Sequence, residues 1–391
     1  MKKISWTALL LIPAMLLSGC NGFWNLPSSS TTTTTTTESS GIFYVLNQTT
    51  SQLAAYYISS GALKKVSGSP YTLLATPYSI AIAPNGNFLY VGTTGGIYVY
   101  SIASSGALTI GNIGNPISSD IATAIQTTNS WMVDAYIAST GVVELNAYSV
   151  SSSDGTLEGS TSQAQTYNVT NATVEQMVIS PDDDYLFVAL GSGGTIAVPF
   201  TPGNNNPIGS TARKISTASS SGAALSVAVD PSERLFYIGE TLANSAASSG
   251  GVRAFLYSSL NGSLTEASGS PIASGSLAPH AILPEASGSY IYVANGDGNS
   301  TAGLIKSFTI TYSSSTYTIA ANSTIAAGIQ PMGLAEDSDS NFVLAASSGG
   351  STSAGSPDLE AFSMSSGVLT ANITSTTGTD PVGAIAIVAL P

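Results

Sequence analysis

Apolar and polar positions along this chain alternate in short bursts that repeat. From Pro77 to Ile102 the sequence runs P-Y-S-I-A-I-A-P-N-G-N-F-L-Y-V-G-T-T-G-G-I-Y-V-Y-S-I. An apolar run over 80–83 meets a Pro-Asn-Gly turn, and a β-rich run follows over 88–91. A glycine-rich turn leads into 97–102, whose alternation has the period of two of a half-buried strand. A fourth strand opens near Leu108. Four short antiparallel strands joined by tight turns make one blade of a β-propeller, and the chain writes this unit repeatedly.

The third strand of the unit is the easiest to follow, with the spacing aliphatic-x-x-aromatic-x-apolar. It appears as L-A-A-Y-Y-I from Leu53, I-Y-V-Y-S-I from Ile97 and L-N-A-Y-S-V from Leu145. It returns as V-R-A-F-L-Y from Val252, I-K-S-F-T-I from Ile305 and L-E-A-F-S-M from Leu359, with a degraded copy over 196–200. Seven copies at a period of about 50 residues fall in the range of propellers and solenoids. The innermost strand recurs as well, centred on Ala81, Ala124, Val178, Ala228, Leu283, Ala335 and Ile385. The two series are out of phase. Ordered structure is expected to begin on a second strand, 42–46, and to end on an inner strand, 382–389. The pattern therefore predicts an all-β fold: a seven-bladed β-propeller of four-stranded antiparallel blades, closed by the C-terminal strand completing the first blade. Such closure leaves no exposed sheet edge.

The N-terminus changes the picture of where this domain works. Met1-Lys-Lys precedes an apolar stretch over 4–17 and then Ser18-Gly19-Cys20, the order of a secretory signal peptide. The tail L-S-G-C resembles the bacterial lipobox, in which Cys20 is lipidated and becomes the mature N-terminus. It is the single cysteine of the chain. Residues 21–40 form a Ser/Thr-rich tether that cannot bury apolar area, and 41–391 form the propeller. No later run is apolar and long enough to span a bilayer. The expectation is an exported monomer held to the bacterial cell envelope by lipid alone, at the outer membrane or cell surface.

Charge is sparse and acidic, with a formal net charge of −13 over 391 residues. After the signal peptide the basic residues are Lys64, Lys65, Arg213, Lys214, Arg234, Arg253 and Lys306. Nucleic acids and anionic membrane surfaces call for clustered cations, which these do not form in sequence.

The repeats resemble a known family. G-A-L-K-K-V-S-G-S-P (61–70) and G-S-L-T-E-A-S-G-S-P (262–271) look like the bacterial lactonase-like seven-bladed propellers, the 6-phosphogluconolactonase-like proteins with YVTN-type repeats. So do I-A-P-N-G-N-F-L-Y-V (82–91) and its echoes over 179–188 and 229–238. The resemblance covers 41–391 and implies the fold. It further implies, for enzymes of the family, lactone chemistry by a His, an Arg and a Glu around the channel mouth. His280, in A-P-H-A-I, is the single histidine and matches the family's Pro-His at the start of an inner strand. The enzymes' richer histidine and arginine motifs are absent.

Candidate sites follow from loops and from residue chemistry. The loops 239–251, 294–303 and 346–358 between second and third strands are long, and long loops in a compact fold are disproportionately functional. The rim of the late blades is the expected site for a glycan, peptide or envelope protein. Beside it, His280 as base, Glu240 to orient it and Arg253 to stabilise an oxyanion would form a hydrolytic set. Asn295, Asp297 and Asn299 offer alternating oxygen ligands suited to calcium. Asp337 to Asn341 has similar spacing but sits at a hairpin, where turn chemistry explains it. No phosphate loop, Cys/His metal spacing or nucleophile elbow is present, and no cofactor is expected. Two functions stand: a binding or scaffold module acting through the late-blade rim, or a lactone hydrolase with His280 as base.

Overall fold

The computed structural model of the chain describes residues 40–391 apart from 60, 159–162, 244–248, 259–262, 276–277, 297–301, 314–315, 350–356 and 375–382. Cys20, the signal segment and the tether up to residue 39 lie outside the described residues. Among the described residues the secondary structure is strand apart from one 3-10 turn, Asn112–Gly114.

Valine-, isoleucine- and tyrosine-rich runs form the strands because branched and aromatic side chains pack well on a pleated surface. The turn after five of the inner strands is punctuated at a fixed place by a residue in the left-handed region: Gly86, Asp183, Glu233, Gly288 and Ser340. Glycine adopts that conformation freely. Elsewhere a short polar side chain helps to hold the turn, as where Asp337 Oδ1 accepts from the N–H of Asn341 (2.7 Å) and Phe342 (2.6 Å). The Asp337–Asn341 segment is thus a hairpin turn, as its sequence position suggests.

Four sheets repeat the expected unit in chain order. They begin on Pro77–Ile82, Ala124–Thr127, Gln176–Ile179 and Ala224–Val229, and each adds its next three strands antiparallel. A fifth sheet places Ala384–Ala389 beside Ser40–Asn47, followed by Gln52–Ser59 and Ala62–Lys65. This is the expected closure. Phe43 pairs with Ala389, Val45 with Ile387 and Leu46 with Ala386 across the two ends of the chain. The remaining strands form one seven-stranded sheet, so hydrogen bonding counts six sheets. The reason is the strand Thr316–Glu336, which pairs with Ala302–Ser313 along its first part and with Phe342–Gly349 along its last.

The cores lie between the faces of successive sheets. Val133, Leu145, Leu186 and Val198 share one cluster, Val45, Tyr56, Leu344 and Ile387 another. Inside the seven-stranded sheet, Tyr292 and Ile305 pack with Val343 and Phe362, residues from its two halves. The second-strand tyrosines tie neighbouring sheets together. Tyr44 donates to the Gly106 carbonyl and Tyr90 to that of Gly155, each at 3.0 Å and each reaching the hairpin of the next sheet. Both phenols are pushed above the ordinary tyrosine range by burial, so both remain donors.

The two Gly-Ser-Pro copies fold alike, which gives the family-like motif a physical meaning. Gly68 and Gly269 sit at φ +88° and +87°. Each lets the chain double back so that Ser69 Oγ accepts from the Ala55 N–H (2.8 Å) and Ser270 Oγ from that of Ala254 (3.1 Å). The serine hydroxyl satisfies a third-strand donor just past the fourth strand.

Candidate functional site

Inner strands converge on a central cavity of about 230 Å³. In five of them one residue drops out of the ladder: the register skips Tyr78, Leu225, His280, Met332 and Ile385. A bulged residue leaves its ladder position and re-aims its side chain. All five line the cavity, together with Thr123 and Glu175 at the matching point of their strands. Beyond them Ile80, Ile125, Met177, Ile282, Leu334 and Ile387 line it with apolar surface. The strands are tied around this axis by polar side chains. Ser79 Oγ donates to the Ala122 carbonyl and Ser226 Oγ to that of Pro279, both at 2.8 Å, and Gln126 Nε2 to that of Met177 at 3.0 Å.

His280 is half-buried in this wall, on the strand Pro279–Pro284. Glu175 is exposed in the same wall and its Oε1 accepts from Thr173 Oγ1 at 2.7 Å. The two other members of the expected hydrolytic set do not line the cavity. Glu240 is fully buried, where its Oε1 takes Arg253 Nη1 at 3.0 Å and its Oε2 takes the Ala218 N–H at 2.7 Å. Arg253 also donates to Glu266 through Nη2 (2.8 Å) and Nε (3.1 Å), donates to the Ser216 carbonyl (2.8 Å), and stacks over Phe255. Burial pushes the Glu240 carboxyl up, more than Arg253 and the Ala218 N–H pull it down. Burial acts to lower the Arg253 guanidinium, but Glu266 and Glu240 hold it above its usual value. Glu266, the more exposed partner, is drawn down by Arg253. The structure thus joins Glu240 to Arg253 and sets that pair apart from the wall that carries His280.

The physical reason is positional. Arg253 occupies the third-strand point that Asn146, Lys306 and Glu360 occupy in other repeats, each opposite the second-strand residue that pairs with the inner strand. At this point the side chain grips the linker entering its own unit. Lys306 Nζ donates to the Ala273 carbonyl (2.9 Å), and Glu360 Oε2 accepts from the Gly328 N–H (2.7 Å).

Of the calcium candidates, Asp297 and Asn299 lie outside the described residues. Asn295 is buried, and its Nδ2 donates to the Val293 carbonyl of its own strand at 2.8 Å. Among the described residues no group of three or more His, Cys, Asp or Glu side chains is placed to hold a metal ion. The late-blade loops contain residues 244–248, 297–301 and 350–356, which are also outside the description.

A polar cluster in the third sheet escaped the sequence reading. Asp134 is fully buried on Trp131–Ser139, facing Asn146 across the ladder. Asn146 Nδ2 lies 3.3 Å from Asp120 Oδ2, 3.4 Å from Asp134 Oδ1 and 3.4 Å from the Tyr136 hydroxyl. Tyr148 donates a short hydrogen bond to Asp120, and Tyr136 donates to Glu144 Oε1 at 2.7 Å. Burial drives the Asp134 carboxyl well above the carboxylate range, and Asp120 beside it pushes the same way. Beside Asp120, the buried Asp134 carboxyl favours its protonated form. Burial also raises Tyr136 and Tyr148, helped by Glu144 and Asp120 respectively, so both phenols stay donors. One signal was present in the sequence. Where Asp134 stands, the other repeats place Val45, Val91, Val188, Ile238, Val293 and Ala345.

Solved structures place this architecture among known propellers. A candidate 6-phosphogluconolactonase of Bacteroides fragilis superposes with a TM-score of 0.69 at 15% identity, covering 91% of this chain and 99% of that one. The periplasmic gluconolactonase of Pseudomonas aeruginosa gives 0.65 at 17% identity, covering 90% and 99%. A Lactobacillus plantarum protein gives 0.62 at 14% identity, covering 90% and 100%. No protein-family model and no curated protein matches the chain. The fold is that of a β-propeller.

Proposed function

We propose that this protein is a lipid-anchored cell-envelope propeller, its seven-stranded sheet counting as two of seven blades, that binds a small neutral polyhydroxylated ring at the mouth of its central channel. The observation that carries the reading is the channel wall itself. Bulges aim one side chain per strand inward, His280 and Glu175 supply polar contacts, and an apolar ring closes the space below. A cavity of about 230 Å³ lies under the size range of roughly 300–1,000 Å³ usual for drug-sized ligands. It suits one sugar-sized ring. No Lys or Arg lines it, and the loop residues outside the description contain none. A phosphorylated ligand therefore finds no cation to balance it, which separates this site from the substrate implied by the name of the Bacteroides neighbour.

A second reading, favoured by the names of the two gluconolactonase neighbours, is hydrolysis of a neutral sugar lactone. His280 would take a proton from the attacking water. The ring C–O bond would break, and the proton would pass to the departing alkoxide. Arg253 has its donors committed elsewhere, so this reading lacks the oxyanion stabiliser that the family resemblance implies. Binding without turnover is the better match.

A lactone panel on the full chain, wild type beside His280→Ala, separates the two. For a binding module, neutral sugars and lactones should bind saturably without turnover above the spontaneous rate, and His280→Ala should weaken binding about tenfold, or roughly 1.4 kcal/mol. For a hydrolase the substitution should lower the rate by roughly 10²-fold or more. Preference for a phosphorylated lactone would overturn the charge argument in either case.

The envelope location has its own test. A fatty-acid analogue fed to cells should label the protein at Cys20, and Cys20→Ala should release the protein or leave its precursor uncleaved. An unlabelled, freely soluble wild type would count against the anchor.

A further inference from the structure

Two clefts lie beside the linker that leads into the inner strand Ala124–Thr127. The larger, of about 1020 Å³, is lined by Phe88, Ile113, Ser118, Tyr148 and Asp154 among others. The other, of about 590 Å³, is lined by Asp120, Ile121, Tyr136 and Val174 among others. Ser119 lines both, so the two adjoin across that linker, and Thr123 lines both the smaller cleft and the central cavity. Each is large enough to seat a small-molecule ligand.

We propose that this groove binds a neutral oligosaccharide, with Asp120 and the Tyr136 and Tyr148 hydroxyls holding sugar hydroxyls midway along it.

Three observations of different kinds carry the proposal. The first is unmet acceptor capacity. Asn146 is 2% exposed and contacts both Asp120 and Tyr136, yet its Oδ1 has no hydrogen-bond partner among the described residues. Asp134, 0% exposed, likewise keeps Oδ2 without a hydrogen-bond partner among the described residues. Buried acceptors are rarely left unpaired, because each forfeits its hydration. These acceptors stand behind the cleft wall, and in the wall itself Asp120 and the two phenol oxygens, whose protons go to Asp120 and Glu144, can still accept from alcohol hydroxyls.

The second observation is the apolar surface on the same linker. Ile113 is 99% exposed and held at φ 55°, ψ 31°, a conformation costly for a β-branched residue. Ile121 is 50% exposed on the other side of Ser119. Apolar patches of this kind suit the C–H faces of sugar rings, and their spacing along the linker suits more than one ring.

The third is charge. Asp120 and Asp154 are the ionisable carboxyls of the two linings, and neither lining contains Lys, Arg or His. An anionic ligand would meet only repulsion. Carboxylates accept strong, charge-assisted hydrogen bonds from hydroxyls, so a neutral polyol gains what an anion would lose.

Calorimetric titration of the full chain in detergent micelles tests this, with cello-, malto-, xylo- and chito-oligosaccharides from disaccharide to hexasaccharide. At least one series should bind saturably, with affinity rising by about tenfold between the disaccharide and the tetrasaccharide. Ser119→Trp, which fills the shared wall without touching the carboxyl pair, should weaken binding at least about tenfold. Asp120→Asn should do the same, with thermal melts confirming that each variant is folded. Failure of every series to bind overturns the proposal, as does binding that survives both substitutions. Binding lost in His280→Ala but kept in Ser119→Trp would assign the sugar to the channel instead. If a polyamine such as spermidine binds and no saccharide does, the site takes cations and the proposal fails.

Discussion

Deleting residues 384–391 should abolish cooperative folding of the propeller. The strand Ala384–Ala389 supplies the ladder partner of Ser40–Asn47, and among the described residues no other strand lies on that side of it. Without it, Phe43, Val45 and Tyr44, all at 0% exposure, would lose the sheet that covers them. A row of unpaired N–H and C=O groups would also be presented to solvent, a template for pairing with other chains. The truncated protein is expected to be aggregated or to unfold without a sharp transition. A milder variant grades the effect. Ile387→Ala removes a side chain 7% exposed in the cluster with Val45 and Tyr56. It should cost roughly 2–4 kcal/mol in denaturant unfolding. A truncated chain that melts cooperatively at the wild-type temperature would show that the closing ladder contributes little.

Asp134→Asn should stabilise the protein, and by an amount that depends on pH. In the unfolded chain the carboxyl ionises near its ordinary value of about 3.9. In the folded protein, burial and the neighbouring Asp120 raise it well above that. Below about pH 4 both states are protonated and the group costs nothing. As pH rises past that point the unfolded state loses its proton first, and stability falls by about 1.4 kcal/mol per pH unit until the folded group ionises too. Asparagine is nearly isosteric, carries no charge, and its amide can donate toward Asp120 while its carbonyl accepts from Asn146. The melting temperature should therefore exceed that of wild type at pH 7–8, with the difference shrinking toward zero near pH 4. A shift of equal size at both pH values, or a loss of stability at neutral pH, would mean that Asp134 is held ionised by something other than the pair described.

Much of the fold was legible because propeller repeats announce themselves through local chemistry. The period-two alternation, the Pro-Asn-Gly turns and the third-strand aromatics each belong to one strand or one hairpin, so each reads directly from neighbouring residues. The Gly-Ser-Pro motif shows the limit of such reading. Its recurrence was visible over 61–70 and 262–271, but its purpose, delivering Ser69 and Ser270 hydroxyls to third-strand N–H groups, appears only once the chain has doubled back. Likewise the repeat places a short inner strand around Ala335, whereas the strand that carries it runs unbroken from Thr316 to Glu336.

Sites proved harder than strands for one reason: a blade has two faces, and sequence proximity to a rim does not say which face a side chain takes. Glu240 and its neighbour Gly239 sit one residue apart. A side chain at Gly239 would point at Ser226 and Pro279 on the way to His280, while Glu240 points at Ala218 and Arg253. That single alternation removes Glu240 and Arg253 from the channel and makes them a linker clamp.

By itself the sequence determined the strand pattern, the repeat, the closure of the last strand on the first and the acidic, cation-poor character of the surface. These depend on residues near in sequence or on simple counts. Only the tertiary structure decided which side chains meet. A bulge turns His280 into the wall that Glu175, just before another inner strand, also lines, and ladder register sets Asp134 against Asn146. The folded linker then lays Asp120 beside both, 14 and 26 residues away in sequence. Burial, which no linear spacing encodes, is what favours the protonated form of Asp134 where the two carboxyl groups meet.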